Sequence, residues 1–305
     1  MKRLAGQGQV RRDWFGLDAF QPGPRFTREG SRLYLLDEVG STNDFLLGRG
    51  GAARGRVCQL DAWGWSAQEH GTIEPPASIE RGVVVVARNQ TAGKGRQGRK
   101  WLDCGGLHLS VVVPSHRASF DKGFSVWLGL MVVLGLREDF QVDARLKWPN
   151  DIMCGERKLG GILLENRHQG GETAIIAGLG LNLDTGAGEI PATLQGTATS
   201  IRLETGLRIR PAEVAGRILS RVENEIDRFD MAGWKPWQHA LACLDCLLGR
   251  EVVLERGGQR FSGRARGIDP QGNLVLEDRS GNRRSFAAGE VHLLSGTDGP
   301  DRREP

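Results

Sequence analysis

Residues 91–101 read TAGKGRQGRKW and follow an apolar, β-branched run at residues 81–87, RGVVVVA. The apolar run predicts a buried strand, which delivers the glycines and cations into a loop. Glycines let the backbone turn tightly and approach a ligand, while Lys and Arg neutralise phosphate oxygens. The stretch therefore predicts a phosphate-handling loop, although a solvated, RNA-binding basic stretch fits the same residues about equally well.

This loop does not match the two common nucleotide-binding motifs. No Gly-x-x-x-x-Gly-Lys-Ser/Thr pattern occurs, which excludes a Walker A loop. GKGRQG, at residues 93–98, fits Gly-x-Gly-x-x-Gly, but it carries bulky cations and precedes Trp101 and a predicted strand rather than a helix. A dinucleotide-binding fingerprint is therefore not indicated.

The overall composition is that of a globular chain. The 305 residues are 39% hydrophobic and 26% charged, which excludes disordered, collagen-like and coiled-coil classes. The longest apolar stretch, residues 125–136, is shorter than the roughly 18 residues of a membrane span. The N-terminus lacks the apolar region of a secretory signal, so we expect a cytoplasmic protein without membrane contact. A net charge of +4 indicates only weak attraction to anionic partners.

Composition changes along the chain predict four segments. Residues 1–30 are rich in Gly, Arg and Pro and predict a flexible arm. Residues 31–248 mix strand and helix patterns and contain an irregular surface insertion at 49–80. Short strands separated by Gly-rich turns at residues 249–296 predict a small β-barrel, and residues 297–305 predict a disordered tail.

Three further motifs each allow a structural and a functional interpretation. In KWPND, Lys147–Asp151, the lysine could hold a phosphate and Asp151 a magnesium ion, but a hairpin turn explains Pro-Asn-Asp equally well. KLGG, Lys158–Gly161, again sets a lysine beside glycines at the start of an apolar strand. In GLGLNL, Asn182 lies in an apolar strand, where a buried amide binds either a ligand or a backbone carbonyl.

The ordered set of these motifs resembles the biotin protein ligases. It comprises STN at 41–43, QTAGKGRQGRKW at 90–101, KWPND, KLGGIL and GLGLNL. The resemblance extends over residues 33–294, because GIDPQGNLVLE and GEVHLL are similar to that family's C-terminal domain. It implies an α+β fold: a catalytic domain over 31–248 related to class II aminoacyl-tRNA synthetases and lipoate ligases, with a mixed sheet and flanking helices, and an SH3-like barrel over 249–296.

The resemblance also implies roles for individual residues. Those expected to bind biotin are Ser41, Thr42, Asn43, Gln90, Gly93, Lys94, Arg96, Lys158 and Gly161. Those expected to bind ATP are Arg96, Arg99, Trp101, Lys147, Asn150, Asp151 and Asn182. Arg96, Lys158, Asp151 and Lys147 are the expected catalytic residues, and Asp151 is the expected magnesium ligand.

The implied activity is ATP-dependent biotinylation of a protein. Biotin and Mg²⁺-ATP give biotinyl-5′-AMP and pyrophosphate, and biotin then passes to a lysine of a biotin carboxyl carrier protein. Asp151 is a candidate acceptor for the proton of that lysine. Some family members repress transcription through an N-terminal DNA-binding domain. The arm at 1–30 is too short for one, so we expect no sequence-specific DNA binding, while a homodimer through the main sheet is left open.

Two positions depart from the family pattern. Lys94 stands where the family often has Arg, which keeps the charge but loses the bidentate fork. Leu294 stands where an Arg near the ATP site is frequent; Arg283 or Arg284 could compensate, but a solvated strand edge explains these two arginines better. The alternatives are a lipoate or octanoyl ligase or transferase on the same fold, whose RR-x-S-G-G-G motif is absent, and a nucleic-acid-binding module, which needs more aromatic residues near the basic run.

Overall fold

The computed structural model describes residues 13–27, 31–62, 64–77, 80–102, 105–113, 123–169 and 172–294. The strands of its large sheet are β1 Arg32–Val39, β2 Ala53–Asp61, β3 Gly64–Ile73, β4 Val84–Gln90, β5 Gly106–Val112, β6 Ala144–Lys147, β7 Asp151–Cys154, β8 Arg157–Gln169 and β9 Glu172–Asn182. The α-helices are α1 Thr42–Leu46, α2 Phe124–Phe140, α3 Ile201–Thr205, α4 Pro211–Ala232 and α5 Gln238–Leu244. The strands of the C-terminal sheet are β10 Glu251–Arg256, β11 Gln259–Ile268, β12 Leu274–Glu277, β13 Arg283–Phe286 and β14 Glu290–Leu293.

The large sheet has nine strands in the order β3-β2-β1-β4-β5-β9-β8-β7-β6. β1 and β4 are parallel, whereas the other neighbouring strands are antiparallel. The apolar run that precedes the Gly-rich loop forms β4, whose residues Val84–Ala87 are buried between β1 and β5. Burial on both faces explains why this run is apolar without alternation, and the predicted mixed sheet is confirmed.

The sheet has helices on both faces. Odd and even residues of β1 and β4 belong to two separate apolar clusters, one with α2 and α4 and the other with α1. In the larger cluster, the ring centroids of Trp127 on α2 and Phe229 on α4 are 4.6 Å apart. No helix in the described part of the chain is long and apolar enough to cross a membrane.

The prediction of a flexible arm over residues 1–30 is wrong for its described part, 13–27. Phe15, Phe20 and Phe26 are buried in the larger apolar cluster. The backbone N–H of Arg25 donates to the carboxylate of Glu223 on α4, at 2.5 Å. The irregular spacing of these aromatic residues matches neither helix nor strand, so periodicity could not reveal their burial. Residues 1–12 and 28–30 lie outside the described residues.

The prediction of an irregular insertion at residues 49–80 is also wrong. Most of it forms β2 and β3, an antiparallel hairpin at one edge of the sheet. β2 buries Val57 and Cys58, but most of β3 is exposed and only Ile73 is buried. A strand with solvent on both faces needs no apolar alternation, which is why the pattern gave no strand signal.

The C-terminal sheet is antiparallel, with the order β13-β12-β11-β10-β14. The pairing recorded for these described strands gives a five-stranded sheet with β13 and β14 at its edges. The turn between β11 and β12 contacts the large domain. The Trp148 indole Nε1 donates to the carbonyl of Gly272 at 2.9 Å. The Trp234 indole Nε1 donates to the carbonyl of Pro270 at 3.1 Å. The predicted tail at 297–305 lies outside the described residues.

Candidate active site

A cavity lies where the Gly-rich loop folds back over the large sheet. Most of the residues expected to bind biotin or ATP line it, namely Ser41, Thr42, Asn43, Gln90, Lys94, Arg96, Arg99, Trp101, Asn150, Asp151, Lys158 and Gly161. They come from α1, the end of β4, the loop, the β6–β7 turn and β8. The motifs that are separated in sequence therefore meet around one cavity.

The Gly-rich loop has a defined folded shape. Trp101 N–H donates to the Gly93 carbonyl at 2.9 Å, and Gly95 N–H donates to the Arg99 carbonyl at 2.7 Å. The turn between them places Gln97 at φ 55° and Gly98 at φ 74°. Left-handed backbone is open to glycine and costs other residues strain, so the tight turn explains the glycine at 98. Gly93 lies at the base of this turn and does not line the cavity.

The loop ends with Trp101 lying flat on β9. A Cβ atom on Gly180 would come within 2.8 Å of the Trp101 ring, so only glycine allows this contact. Lys158 Nζ lies 5.7 Å from the ring centroid. The Trp101 indole Nε1 is buried and has no hydrogen-bond partner among the described residues. Sequence reasoning missed Gly180, although the Gly-x-Gly spacing in GLGLN puts Gly178 and Gly180 on one face of the strand.

Cations and one carboxylate meet beside this ring. Lys158 Nζ forms an ion pair with Asp151 Oδ1 at 2.6 Å, and both side chains are partly exposed to the cavity. Burial lowers the pKa of the Arg96 guanidinium, and Arg99 lowers it further, while Asp151 acts in the opposite direction. An arginine still carries its charge at neutral pH. The group can therefore hold two anions close together.

The KWPND segment forms the turn between β6 and β7, as the structural interpretation proposed. The peptide bond before Pro149 is cis. Asn150 Nδ2 donates to the Ile162 carbonyl at 2.5 Å, and the Asn150 carbonyl accepts from Ile162 N–H at 3.0 Å. These bonds fix the turn to β8 and aim Asp151 into the cavity. Lys147 is paired with Asp151 in the β6–β7 ladder and does not line the cavity.

The Asn182 amide binds a backbone carbonyl, the structural alternative to a ligand. Its side chain is buried, and Nδ2 donates to the carbonyl of Thr199 at 2.9 Å. It does not line the cavity, and neither do Gly93 and Lys147. A Cβ atom on Gly93 would lie 2.8 Å from the Trp101 carbonyl oxygen, so Gly93 is required by the fold of the loop.

The opposite end of the cavity is neutral and buried. Thr42 N–H donates to Gln90 Oε1 at 2.8 Å. Ser110 Oγ lies 2.7 Å from Thr42 Oγ1 and 2.6 Å from Asn43 Oδ1. Asn43 Nδ2 donates to Glu165 Oε2 at 2.8 Å. Sequence reasoning missed Ser110 and Glu165; a buried serine in an apolar strand was the available signal for Ser110.

Ion pairs hold the loop at its two ends. Lys94 pairs with Asp44 on α1 at 2.7 Å, and Arg99 pairs with Glu290 on β14. The C-terminal sheet therefore reaches the loop through Glu290. Arg283 instead pairs with Glu277 at 2.8 Å, and neither Arg283 nor Arg284 lines the cavity.

Two family models match the chain. The model described as "Biotin/lipoate A/B protein ligase family" matches residues 74–182, and the one described as "Biotin protein ligase C terminal domain" matches residues 247–294. The first match contains the loop, the turn and β9, and the second contains the C-terminal sheet.

Curated relatives and solved structures agree with these matches. A biotin--[acetyl-CoA-carboxylase] ligase of Paracoccus denitrificans is 32% identical over 216 residues, which cover 68% of this chain and 88% of that one. Another of Mycobacterium tuberculosis is 31% identical, over 85% of this chain and 96% of that one. The structure of biotin protein ligase from Aquifex aeolicus in complex with biotin and ATP has a TM-score of 0.68 and 26% identity, covering 86% of this chain and 98% of that one.

Proposed function

The chain belongs to the biotin protein ligase family, and from this membership we propose that the cavity under the Gly-rich loop is the site of biotin activation. The enzyme joins biotin to ATP, forming biotinyl-5′-AMP and pyrophosphate, and then transfers biotin to a lysine of a protein. One observation carries the assignment of the site: a cluster of cations and a neutral buried hydrogen-bond network share a single cavity. A carboxylate substrate with a neutral polar head group needs both.

In the first step, an oxygen of the biotin carboxylate attacks the α-phosphorus of ATP, and the bond to pyrophosphate breaks. The carboxylate is already a nucleophile at neutral pH, so the step requires no general base. It requires two anions to be held in contact and the charge at phosphorus to be offset. Arg96 and Lys158 line the cavity side by side and are suited to both tasks.

We assign the nucleotide to the side of the cavity that Trp101, Arg99, Asn150 and Asp151 line. The ring of Trp101 offers a surface for the base. Lys147 and Asn182 are not part of this proposal, because neither lines the cavity and the Asn182 amide donates to the Thr199 carbonyl.

Mg²⁺ fits this proposal as a companion of ATP. No cluster of three or more metal-ligating side chains occurs in the described part of the chain. Proteins usually hold Mg²⁺ with one or two carboxylates, while substrate phosphates and water complete the octahedron. Asp151 would be the protein ligand, and the ion would offset charge on the phosphates.

The second step needs an uncharged amine, because the carrier lysine attacks the carbonyl carbon of the adenylate and AMP leaves. We propose that Asp151, which faces the cavity beside Lys158, accepts the proton of the carrier lysine.

The names of the relatives support a biotin carboxyl carrier protein of acetyl-CoA carboxylase as the partner. The loop would order over the adenylate and exclude water, which otherwise hydrolyses it.

The neutral end of the cavity is the proposed site for the ureido ring of biotin. Thr42, Ser41 and Gln90 supply hydroxyl and amide groups there, and Gly161 lets the chain approach without a side chain. Lys94 would act from the rim, because its ammonium group is paired with Asp44 on the same side.

We further propose that the large domain is of the class II aminoacyl-tRNA synthetase type and that residues 249–296 form an SH3-like barrel. The mixed sheet with helices on both faces supports the first assignment. The short, antiparallel strands β10–β14 support the second. In this arrangement the small domain would act on the site through Glu290 and Arg99.

ATP–pyrophosphate exchange on the full chain tests the proposal. We expect exchange that depends on biotin and Mg²⁺, with lipoate as the control acid giving none. Exchange with lipoate alone would assign the site to the lipoate branch of the family. Exchange with neither acid would overturn the assignment of this cavity as an adenylation site.

A further inference from the structure

A chain of hydrogen bonds leads from Glu165 on β8 to the neutral end of the cavity. Glu165 Oε2 accepts from Asn43 Nδ2 at 2.8 Å. Asn43 Oδ1 lies 2.6 Å from Ser110 Oγ, and Ser110 Oγ lies 2.7 Å from Thr42 Oγ1. Ser110 is fully buried, and Asn43 and Thr42 are each less than 5% exposed. Water therefore cannot substitute for a missing partner among these three buried residues, whereas the Glu165 side chain is partly exposed.

Two acceptors at the outer end fix the orientation of the Asn43 amide, because Nδ2 contacts Glu165 Oε2 at 2.8 Å and the Leu163 carbonyl at 3.4 Å. Glu165, a carboxylate paired with Arg49 at 3.2 Å, can only accept hydrogen bonds. The amide nitrogen of Asn43 must therefore face Glu165, and its oxygen must face Ser110. A flipped amide would set two acceptors against each other in a buried place, which costs free energy.

That orientation determines the direction of the remaining bonds. Asn43 Oδ1 is an acceptor, so the single hydroxyl proton of Ser110 must point to it. With its one proton on Asn43, Ser110 Oγ can only accept in its 2.7 Å contact with Thr42 Oγ1. The Thr42 hydroxyl proton thus has two acceptors inside the protein, Ser110 Oγ and Gln90 Oε1 at 3.2 Å, and Thr42 Oγ1 presents lone pairs to the cavity. The backbone N–H of Thr42 is occupied by Gln90 Oε1.

We propose that Glu165 is a positioning residue that makes Thr42 a hydrogen-bond acceptor for the ureido N–H of biotin. The inference rests on the proposed function, because it needs biotin at the neutral end. Glu165 does not line the cavity and acts only through Asn43 and Ser110. In a reversed chain Ser110 would donate to Thr42 Oγ1 and occupy a lone pair that the ureido N–H needs.

The first test compares three variants by biotin-dependent ATP–pyrophosphate exchange. Glu165→Met removes the acceptor and is expected to raise the KM for biotin about tenfold or more, with the KM for ATP unchanged. Glu165→Gln retains an oxygen that can face Asn43, so we expect a KM for biotin within about threefold of the wild-type value. Arg49→Met is the matched control: it removes the exposed partner of the same carboxylate and should leave both KM values within about twofold.

The second test restores the direction of the chain with different atoms. Asn43→Asp sets a second carboxylate against Glu165 and should raise the KM for biotin at least as much as Glu165→Met does. Adding Glu165→Gln to Asn43→Asp supplies an amide donor to the new carboxylate, while Ser110 still donates to its other oxygen. We expect the double variant to bind biotin better than Asn43→Asp alone, a reversal that a loss of packing does not produce.

The outcomes separate this inference from the proposed function. A wild-type enzyme without biotin-dependent exchange would overturn the proposed site itself. An active wild type whose Glu165→Met variant keeps its KM for biotin, or changes both KM values equally, would overturn the role of Glu165 alone. So would a double variant no better than Asn43→Asp.

Discussion

The two ends of the cavity are built in opposite ways. The proposed phosphate end relies on formal charge: Arg96, Lys158 and Asp151 are partly exposed, Lys158 pairs with Asp151, and Arg99 of the loop pairs with Glu290. The proposed biotin end relies on neutral groups, because Thr42 and Ser110 are buried and hydrogen-bonded to each other.

This difference matches what each end must do. Charge that develops during adenylation is offset by cations that are already in place. A neutral ureido ring is recognised by the direction of hydrogen bonds, which discriminates best where water is excluded. The charged end should therefore control the rate of the chemical step, and the neutral end should control affinity for biotin.

The largest expected effect is that of Arg96→Ala. In the proposed site Arg96 contacts both anions, so its removal should lower kcat for adenylation by about 100-fold or more. Single-turnover formation of biotinyl-5′-AMP measures this step directly. Arg88→Ala removes an exposed cation from the same strand–loop segment and is the control. An Arg96→Ala enzyme with near-normal single-turnover rate would break the assignment of the charged end.

Ser110→Ala should have the next largest effect. It leaves the buried oxygen of Asn43 without its donor, which costs about 1–3 kcal/mol, so the KM for biotin should rise about tenfold with little change in kcat. Ser66→Ala on the exposed hairpin is the matched control, because the Ser66 hydroxyl bonds only near the surface. A fall in kcat without a change in KM would erase the distinction between the two ends.

Gly180→Ala tests the contact between Gly180 on β9 and the Trp101 ring. The new Cβ atom would lie 2.8 Å from the Trp101 ring, so the ring must move. We expect the KM for ATP to rise about fivefold, and titration with an ATP analogue measures it. Gly188→Ala is the control, since a Cβ atom there meets nothing within 4 Å. Unchanged ATP binding would exclude Trp101 as a nucleotide contact.

Glu290→Gln should have the smallest effect. Its ion pair with Arg99 is exposed, and pairs of this kind contribute about 0–1 kcal/mol. We therefore expect a change of about twofold in the KM for ATP, and a weaker salt dependence of that KM. A larger loss would mean that the C-terminal sheet holds the loop more firmly than one exposed contact does.

The same difference explains how much of the site was predictable. Each part of the charged end is local in sequence: GKGRQGRK, KWPND and KLGG each keep their cations and glycines together. The neutral end depends on neighbours brought together by strand pairing, and neither Ser110 on β5 nor Glu165 on β8 belongs to a motif. Lys147 and Asn182 belong to such motifs, but neither lines the cavity, and the Asn182 amide donates to the Thr199 carbonyl instead.

The sequence predicted those strands and helices whose buried residues are continuous or recur with a regular period. The run at β4 has that property and was predicted as a buried strand, while the mixed sheet was implied by the family resemblance. Residues 13–27 contribute aromatic side chains without a period, and β3 is exposed on both faces, so their sequences carry no periodic signal. The strand pairing of the C-terminal domain also depends on long-range contacts, which the sequences of short strands do not encode.

The most direct test of the account is a comparison of Arg96→Ala and Ser110→Ala by biotin-dependent ATP–pyrophosphate exchange at varied biotin concentration. The account predicts that Arg96→Ala loses its activity mainly in kcat, whereas Ser110→Ala loses it mainly through the KM for biotin. If both substitutions change the same parameter in the same proportion, the division of the cavity into a charged reaction end and a neutral recognition end is contradicted.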